Sequence, residues 1–301
     1  MKEFIFKKLD AFATVTSSGN PAGMIQLESA KEISEQEMLQ IARELRGFVN
    51  EVGYVWQTES DRFSLRYFSA EKEVMFCGHA TIAIMYDLIS HSPYLAGLNR
   101  IHVDTQESSL VVENCISKEK AVYISAPTAV FHTRTVAIKE IACALQISEE
   151  QLGSAQPMII NAGLNTLVVQ ISDLATTLGI MPELAALKDF CVKMEIDIIT
   201  IFTSETAFAG NSYRSRVFAP PFGYLEDPAT GSGNAALGNF LMRQGLWDGS
   251  LITIEQNNNR QAPNSISLRA TVDQAGSHSI LFGGGAIERI RGSYLLHEVP
   301  S

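Results

Sequence analysis

The alternation of hydrophobic and polar positions predicts strands and one helix at the start of the chain. Residues 3–13 alternate as a strand does, and a polar turn at 17–21 separates them from a second strand at 22–27, which predicts a β-hairpin. Ser34 to Glu37 form a capping box, and Met38, Ile41 and Leu45 follow at helical spacing. Further strands are predicted at 52–56, 63–70, 73–76, 100–106, 110–114 and 121–126.

The second half of the chain repeats this pattern in outline. Three helices are predicted: a short one that ends at Leu145, a second that begins at Ser148 and a third over 182–195. Strands are predicted within 157–171 and at 197–203, 211–219, 251–256, 265–272, 279–282 and 287–296. We place the domain change near Pro127, so that residues 1–127, joined by the last strand at about 287–301, form the N-terminal half. Residues 128–286 form the C-terminal half.

Each half contains one strongly apolar segment that follows a glycine turn. Cys77-Gly78-His79-Ala80-Thr81 precedes the run at 82–86, and Ala229-Thr230-Gly231-Ser232-Gly233 precedes the run at 235–241. A helix that is apolar all round is buried, so we expect each half to wrap antiparallel strands around one such helix. Free N–H groups at a helix start favour an anion. The alternative at the second turn is an ordinary helix whose Thr or Ser caps its own first turn.

Composition and charge narrow the classes of partner. The chain has 301 residues, 46% of them hydrophobic, and a formal net charge of -10, so it offers no basic field for nucleic acid. Its four cysteines include no C-x-x-C pair, which indicates neither a zinc nor a redox motif and is typical of reduced thiols in a cytoplasm. No apolar run approaches the roughly 20 residues of a membrane span, and the N-terminus has the pattern of a strand rather than a leader. We therefore expect a cytoplasmic protein with no membrane partner.

Four residues carry candidate chemistry, and each has an ordinary alternative role. Glu51 lies at the start of a predicted strand, where a solvated loop carboxylate is common. His79 and Cys77 lie at the first helix start, where a structural hydrogen bond and an inert core thiol are the usual roles. Asp227 precedes Pro228 at the second turn, beside a helix N-terminus. Only proximity to one another in space would favour a functional role for them.

Three segments together resemble a known family. They are DAFATVTSSGNPAGMI (10–25), RYFSAEKEVMFCGHAT (66–81) and RVFAPPFGYLEDPATGSGNAALGNFL (216–241). In this order and spacing they are similar to the phenazine-biosynthesis PhzF-like isomerases, which belong to the diaminopimelate-epimerase-like fold group. The resemblance runs nearly end to end. It implies an α+β fold of two pseudo-symmetric halves, each an antiparallel strand barrel around a central buried helix, and it implies a homodimer.

The resemblance also implies roles for individual residues. Glu51 matches the family's proton-shuttling acid, Asp227 matches the carboxylate on the opposite wall of an interdomain cleft, and His79 completes the catalytic set. The implied substrate-binding residues are Asn20, Gly78, Gly231 and Ser232. The chain departs from the family around Glu51, where members usually have Ser-Glu-Thr and this sequence has Asn50-Glu51-Val52.

The predicted function is that of a cofactor-independent isomerase, which moves a proton between carbons of a small carboxylic acid. The sequence shows no motif for a metal or an organic cofactor. One alternative is an epimerase or racemase of an amino or hydroxy acid that uses Cys77 with a carboxylate, since related epimerases have a second cysteine where residues 228–231 have none. The other is a ligand-binding homologue without catalysis, which gains nothing from three acid/base groups.

Overall fold

The computed structural model describes residues 1–272 and 278–297, which form two compact units. The first unit consists of Met1–Ala13, Ser18–Ile124 and the described residues from Gly283 onward. The second consists of Thr14–Ser17 and the described residues of Ser125–Phe282. Among the described residues, no helix is both long and apolar enough to cross a membrane.

Strands outnumber helices in both units, and the predicted α+β class is confirmed. Up to residue 125 the elements are β1 (Lys2–Ala11), β2 (Asn20–Gln26), α1 (Glu35–Glu44), β3 (Glu51–Glu59), β4 (Arg62–Ser69), β5 (Glu73–Val74), α2 (Gly78–His91), α3 (Pro93–Ala96), β6 (Arg100–Asp104), β7 (Ser109–Asn114), α4 (Ile116–Glu119) and β8 (Val122–Ser125). Beyond it they are β9 (Val130–Phe131), α5 (Ile138–Leu145), β10 (Met158–Asn161), β11 (Asn165–Gln170), α6 (Leu174–Gly179), α7 (Leu184–Lys193), β12 (Ile198–Thr203), β13 (Tyr213–Phe218), β14 (Glu226–Asp227), α8 (Gly231–Arg243), β15 (Ile252–Gln256), β16 (Asn264–Val272), β17 (His278–Gly284) and β18 (Ala286–Leu296).

The two units share one order of strand pairings. In the first unit, β1 and β2 are antiparallel, β2 and β3 are parallel across α1, and β4 and β6 are parallel across α2. In the second unit, β10 and β11 are antiparallel, β11 and β12 are parallel across α6 and α7, and β13 and β15 are parallel across α8. The pseudo-symmetric halves predicted from the sequence are therefore present as two copies of one connectivity.

The predicted antiparallel pairing does not hold for every pair of strands. Among the described strands, each unit has two parallel pairs, because a helix between the two strands of each pair carries the chain back to the starting end. Two local expectations also need correction. The helix predicted to begin at Ser148 is a single 3-10 turn, and α7 begins at Leu184 with Glu183 as its cap, so that Pro182 precedes the helix. The acidic turn before the second glycine segment contains a two-residue strand, β14.

Each unit buries a central helix and also packs a second layer of helix on its strands. The buried residues of α2 run from Ala80 to Ile89 with one gap at Tyr86, and α8 is buried over most of its length. Alternation along β3 sends Val52 and Tyr54 into a core with Ile41 of α1, while Gly53 contacts the central helix α2. The residues that share the face of Gly53 are therefore the ones that reach the start of α2.

Candidate active site

Glu51 is positioned by the first residues of β3. It lies two residues before Gly53, so both side-chain positions are on the strand face that packs on α2. A Cβ atom at Gly53 would lie 2.3 Å from Cδ1 of Ile84, a distance that real contacts do not reach. Glycine at this position therefore lets α2 approach β3 closely. The close approach places the carboxylate of Glu51 beside the first turn of that helix.

Glu51, His79 and Cys77 form one cluster at the start of α2. The Nε2 atom of His79 lies 3.2 Å from Oε2 of Glu51, and its Nδ1 atom lies 3.5 Å from Sγ of Cys77. Oε2 of Glu51 is buried and has no hydrogen-bond partner among the described residues, so the imidazole is close without being aligned for a hydrogen bond. The side chains of His79 and Glu51 are 14% and 21% exposed, which leaves the cluster open to a small molecule.

Burial acts on the two titrating partners of this cluster in opposite directions. Burial, the largest effect, raises the pKa of the Cys77 thiol, and nearby Glu51 adds to the rise while His79 and the N–H of Ala80 reduce it. For His79, burial by itself lowers the pKa, but Cys77 and Glu51 outweigh it and raise the pKa well above its ordinary value. Burial therefore raises the pKa of the thiol, whereas its two neighbours raise the pKa of the imidazole.

Buried polar contacts of Thr81 hold the backbone at the start of α2. Cys77 is the N-cap residue of α2 but makes no side-chain capping hydrogen bond. Thr81, four residues later, donates its hydroxyl to the carbonyl oxygen of Cys77 at 2.7 Å and lies 2.7 Å from the hydroxyl of Tyr67. Both Thr81 and Tyr67 are buried. The first turn of α2 is therefore held from the core side by Thr81 and Tyr67.

The second helix start has an equivalent construction. Thr230 is the N-cap of α8, and its hydroxyl donates to Oδ2 of Asp227 instead of capping the helix. Asn234, four residues after the cap, donates to the carbonyl oxygen of Thr230 at 2.8 Å, as Thr81 does at the first helix start. The alternative of an ordinary helix capped by its own threonine is therefore not what the structure shows. By contrast, Ser34 caps α1 and Asp173 caps α6 through their side chains.

Gln256 connects the parts of the second helix start, and sequence reasoning did not identify it. Its Oε1 atom accepts from the N–H of Thr230 at 2.9 Å and from Nδ2 of Asn234 at 2.7 Å. Its Nε2 atom donates to the carbonyl oxygen of Asp227 at 2.8 Å. Gln256 and Asn234 are fully buried, and Ser215 donates to Asn234 at 3.0 Å. The sequence signal was a polar residue, Asn234, directly before the apolar residues of the helix.

An arginine anchors the strand before each helix start. Arg66 pairs with Glu73 at 2.6 Å, and Arg216 pairs with Glu226 at 2.8 Å. Each arginine also stacks on the phenylalanine two residues later in the same strand, with the guanidinium carbon 5.3 Å and 4.9 Å from the ring centroid. The glutamate precedes the N-cap residue by four positions in both cases. Residues 73–81 and 226–234 are therefore structurally equivalent segments.

The equivalence shows where the two units have diverged. Asp227 corresponds to Val74. Asp227 pairs with Val217 and Val74 pairs with Tyr67, and each of these partners lies between the arginine and the phenylalanine of its strand. Ser232 corresponds to His79 as the second residue of its helix. Ile198 at the start of β12 occupies the position of Glu51 and is buried with Val217. Of these three pairs of equivalent positions, the first unit has a carboxylate only at Glu51 and the second only at Asp227.

The remaining predicted residues are Asn20, at the start of a strand, and two glycines at the helix starts. Asn20 begins β2, is fully buried and lies 3.5 Å through Oδ1 from Nδ2 of Asn50. Gly78 and Gly231 are the first residues of α2 and α8. A Cβ atom at Gly231 would lie 2.2 Å from the ring of Phe282, so packing requires glycine there. The first unit therefore holds Asn20, Glu51, Cys77, Gly78 and His79, and the second holds Asp227, Gly231 and Ser232.

Comparison with known proteins places this geometry in a family. The family model described as phenazine biosynthesis-like protein, PhzC-PhzF, matches residues 9–292. The chain is 27% identical to an uncharacterized isomerase, YfhB of Bacillus subtilis, over 92% of this chain and 94% of that protein. It is 28% identical to the trans-2,3-dihydro-3-hydroxyanthranilate isomerase of Pseudomonas chlororaphis, with 93% and 97% of the two chains covered.

The same family is found among solved structures. The crystal structure of a PhzF-family phenazine biosynthesis protein from Bacillus anthracis superposes with a TM-score of 0.87 at 22% identity, covering 98% of this chain and 100% of that one. This likeness shows that the fold is shared. The match of the family model across nearly the whole sequence carries the assignment further, and the chain belongs to the phenazine biosynthesis-like PhzC-PhzF family as an isomerase.

Proposed function

We propose that this isomerase moves a proton between two carbons of a small carboxylic acid, with Glu51 as the group that takes and returns it. The observation that carries the proposal is the buried Oε2 atom of Glu51, which lies beside His79 and accepts no hydrogen bond from the described residues. A buried acceptor without a donor is rare in a native structure, and a proton from a bound molecule would satisfy it. No sequence feature beyond the resemblance had separated Glu51 from a solvated loop carboxylate.

The chemical step follows from the residue types. The Glu51 carboxylate takes the proton from a carbon adjacent to an electron-withdrawing group, and the C–H electron pair moves into the conjugated system to give an enolate-like anion. Protonated Glu51 then delivers the proton to another carbon of that system, and the double bond shifts. A positioned acid/base group of this kind contributes roughly 10²- to 10⁴-fold to the rate. The enzyme ends each turnover in its starting protonation state.

The helix start beside Glu51 would bind the substrate and its developing negative charge. Cys77 does not cap α2 through its side chain, and the N–H groups of a first helical turn favour an anion. The positive end of the α2 dipole favours a carboxylate or an enolate-like oxygen. We propose the same anion-binding role for the start of α8, where Asp227 is held by Thr230 and Gln256.

A second candidate is an epimerase that uses Cys77 with a carboxylate. The observation that favours it is the 3.5 Å contact between Sγ of Cys77 and Nδ1 of His79, a pairing that can deprotonate a thiol. Burial, which raises the pKa of this thiol, acts against it. The equivalent position in the second unit is Thr230, which offers no sulfur. Glu51, whose buried Oε2 atom has no hydrogen-bond donor among the described residues, is therefore a better candidate for the proton-transfer group than Cys77.

The test is deuterium uptake from heavy water, read by NMR on a panel of small unsaturated and amino carboxylic acids. The panel includes trans-2,3-dihydro-3-hydroxyanthranilate, the compound named for the Pseudomonas chlororaphis relative. The wild-type protein is expected to introduce deuterium into a substrate, and Glu51→Gln is expected not to. Uptake at the wild-type rate in the Glu51→Gln protein would show that another group carries the proton.

A further inference from the structure

In the part of the chain that the structure describes, two groups of side chains each place three metal-ligating atoms within 4.8 Å of one another. In the first, Asp87, His91 and Glu288, the ammonium of Lys7 lies 2.6 Å from Asp87 and 3.4 Å from Glu288. A protein cation already neutralises these carboxylates, so a metal ion would have to displace it. This group therefore carries no metal proposal.

The second group is Glu51, Cys77 and His79, and it differs in both charge and composition. The ion pairs found in residues 1–272 and 278–297 join Glu51 to His79 and to no lysine or arginine. The buried Oε2 atom of Glu51 has no hydrogen-bond donor in that part of the chain. A carboxylate, an imidazole and a thiol together are a donor set that Zn²⁺ accepts, whereas Mg²⁺ and Ca²⁺ prefer oxygen alone.

Two of the distances between the donor atoms are near those of tetrahedral zinc. Bonds of about 2.0–2.3 Å at tetrahedral angles separate neighbouring ligand atoms by about 3.3–3.6 Å. Nε2 of His79 lies 3.2 Å from Oε2 of Glu51 and 3.9 Å from Sγ of Cys77. All three ligand atoms lie within 4.8 Å of one another, and rotations of the Cys77 and Glu51 side chains within their rotamers would bring them to zinc-bonding distance.

We propose that Glu51, Cys77 and His79 form a Zn²⁺ site at the start of α2, with a fourth position left to water. On binding, the S–H bond of Cys77 breaks, a Zn–S bond forms and the proton leaves to solvent. The partly exposed side chains of His79 and Glu51 provide the path by which the ion enters. Zinc binding stands on this geometry alone. The further consequence, that zinc inhibits the enzyme by occupying the base, rests on the proposed function.

The experiment measures zinc binding directly on the full chain. The protein is freed of metal with a chelator and titrated with Zn²⁺ against a chromogenic competitor. The expected result is one equivalent bound, with affinity lowered by about tenfold or more in Cys77→Ser and in Glu51→Gln, since loss of a supporting group alone costs 10- to 100-fold. Cys143→Ser, at an exposed cysteine on α5, is the matched control and should bind as the wild type does.

Cobalt provides a readout that does not depend on any variant. Co²⁺ bound by Cys77 gives a thiolate-to-metal charge-transfer band in the near ultraviolet, and a spectrum without that band would overturn the site. Stoichiometric zinc binding that Cys77→Ser and Glu51→Gln leave unchanged would also overturn it. Zinc binding with undiminished deuterium uptake would support the site and contradict Glu51 as the base. If the wild-type protein takes up deuterium but binds no zinc, the metal site is wrong and the proposed function is unaffected.

Discussion

The Nε2 atom of His79 lies 3.2 Å from Oε2 of Glu51, a carboxylate oxygen that is buried and lacks a hydrogen-bond donor among the described residues. The two residues come from different elements, the start of β3 and the first turn of α2. Their contact depends on the close approach of strand and helix at Gly53. A carboxylate and an imidazole are thereby placed at a helix N-terminus, a position that favours anions.

Glu51→Gln should lower kcat by about 10²-fold or more while ligand affinity changes little, because the amide keeps the size of the side chain but cannot take a proton. Steady-state kinetics on the substrate found by deuterium uptake measures both quantities. Glu59→Gln is the matched control, since Glu59 ends the same strand with a side chain that is 68% exposed. If kcat falls equally in the two variants, the loss comes from a disturbance of strand β3 and not from removal of the base.

Cys77→Ala separates the two candidate mechanisms. If Glu51 carries the proton, removal of the thiol should lower kcat by less than about tenfold, since Cys77 then contributes packing beside His79. If the thiol is a base, the loss should match that of Glu51→Gln. Single-turnover deuterium exchange in both variants measures the difference. A hundredfold loss on Cys77→Ala, with normal far-ultraviolet circular dichroism, would favour the thiol mechanism.

Gly53→Ala should lower the free energy of unfolding by about 1–3 kcal/mol, the usual cost of overpacking a core. The added methyl group would meet Ile84 of α2 and push helix and strand apart. Because that movement separates Glu51 from His79, kcat should fall as well. Urea denaturation measures the stability. Gly179→Ala is the control, because its Cβ would meet no atom within 4 Å, and a similar loss there would argue against the packing explanation.

Gln256→Leu should destabilise the protein by about 3 kcal/mol or more. The substitution leaves the N–H of Thr230 and one of the two side-chain N–H groups of Asn234 buried without an acceptor, and each such group costs about 1–3 kcal/mol. Thermal unfolding monitored by circular dichroism measures the loss. Gln26→Leu, at an exposed position on β2, should change the melting temperature little. Melting temperatures that fall equally in both variants would mean that the network does not hold the second helix start.

Local patterns were sufficient for most elements and for the family. The capping box at Ser34 begins α1 as predicted, and the apolar runs after Gly78 and Gly231 form the buried helices. These features depend on residues within one or two turns of each other, so a single sequence contains them. The motifs that carry the family resemblance are local in the same sense, and the family is confirmed by the match over residues 9–292.

The strand directions were decided by tertiary structure. Whether two strands run parallel depends on the path of the helix between them, and alternation along a strand is the same in either direction. The sequence also did not reveal that Arg66 and Arg216 are equivalent, because the paired glutamate follows seven residues later in one unit and ten residues later in the other.

The sequence by itself predicted which residues are candidates for chemistry, through the residue types of Glu51, Cys77, His79 and Asp227 and their motifs. Only the tertiary structure decided that Glu51, Cys77 and His79 meet, because a contact across 26 to 28 positions of the chain depends on how β3 packs on α2. The role of Gln256 was also settled there. A buried amide can satisfy several groups at once, and which groups it reaches is set by packing and not by neighbours in sequence.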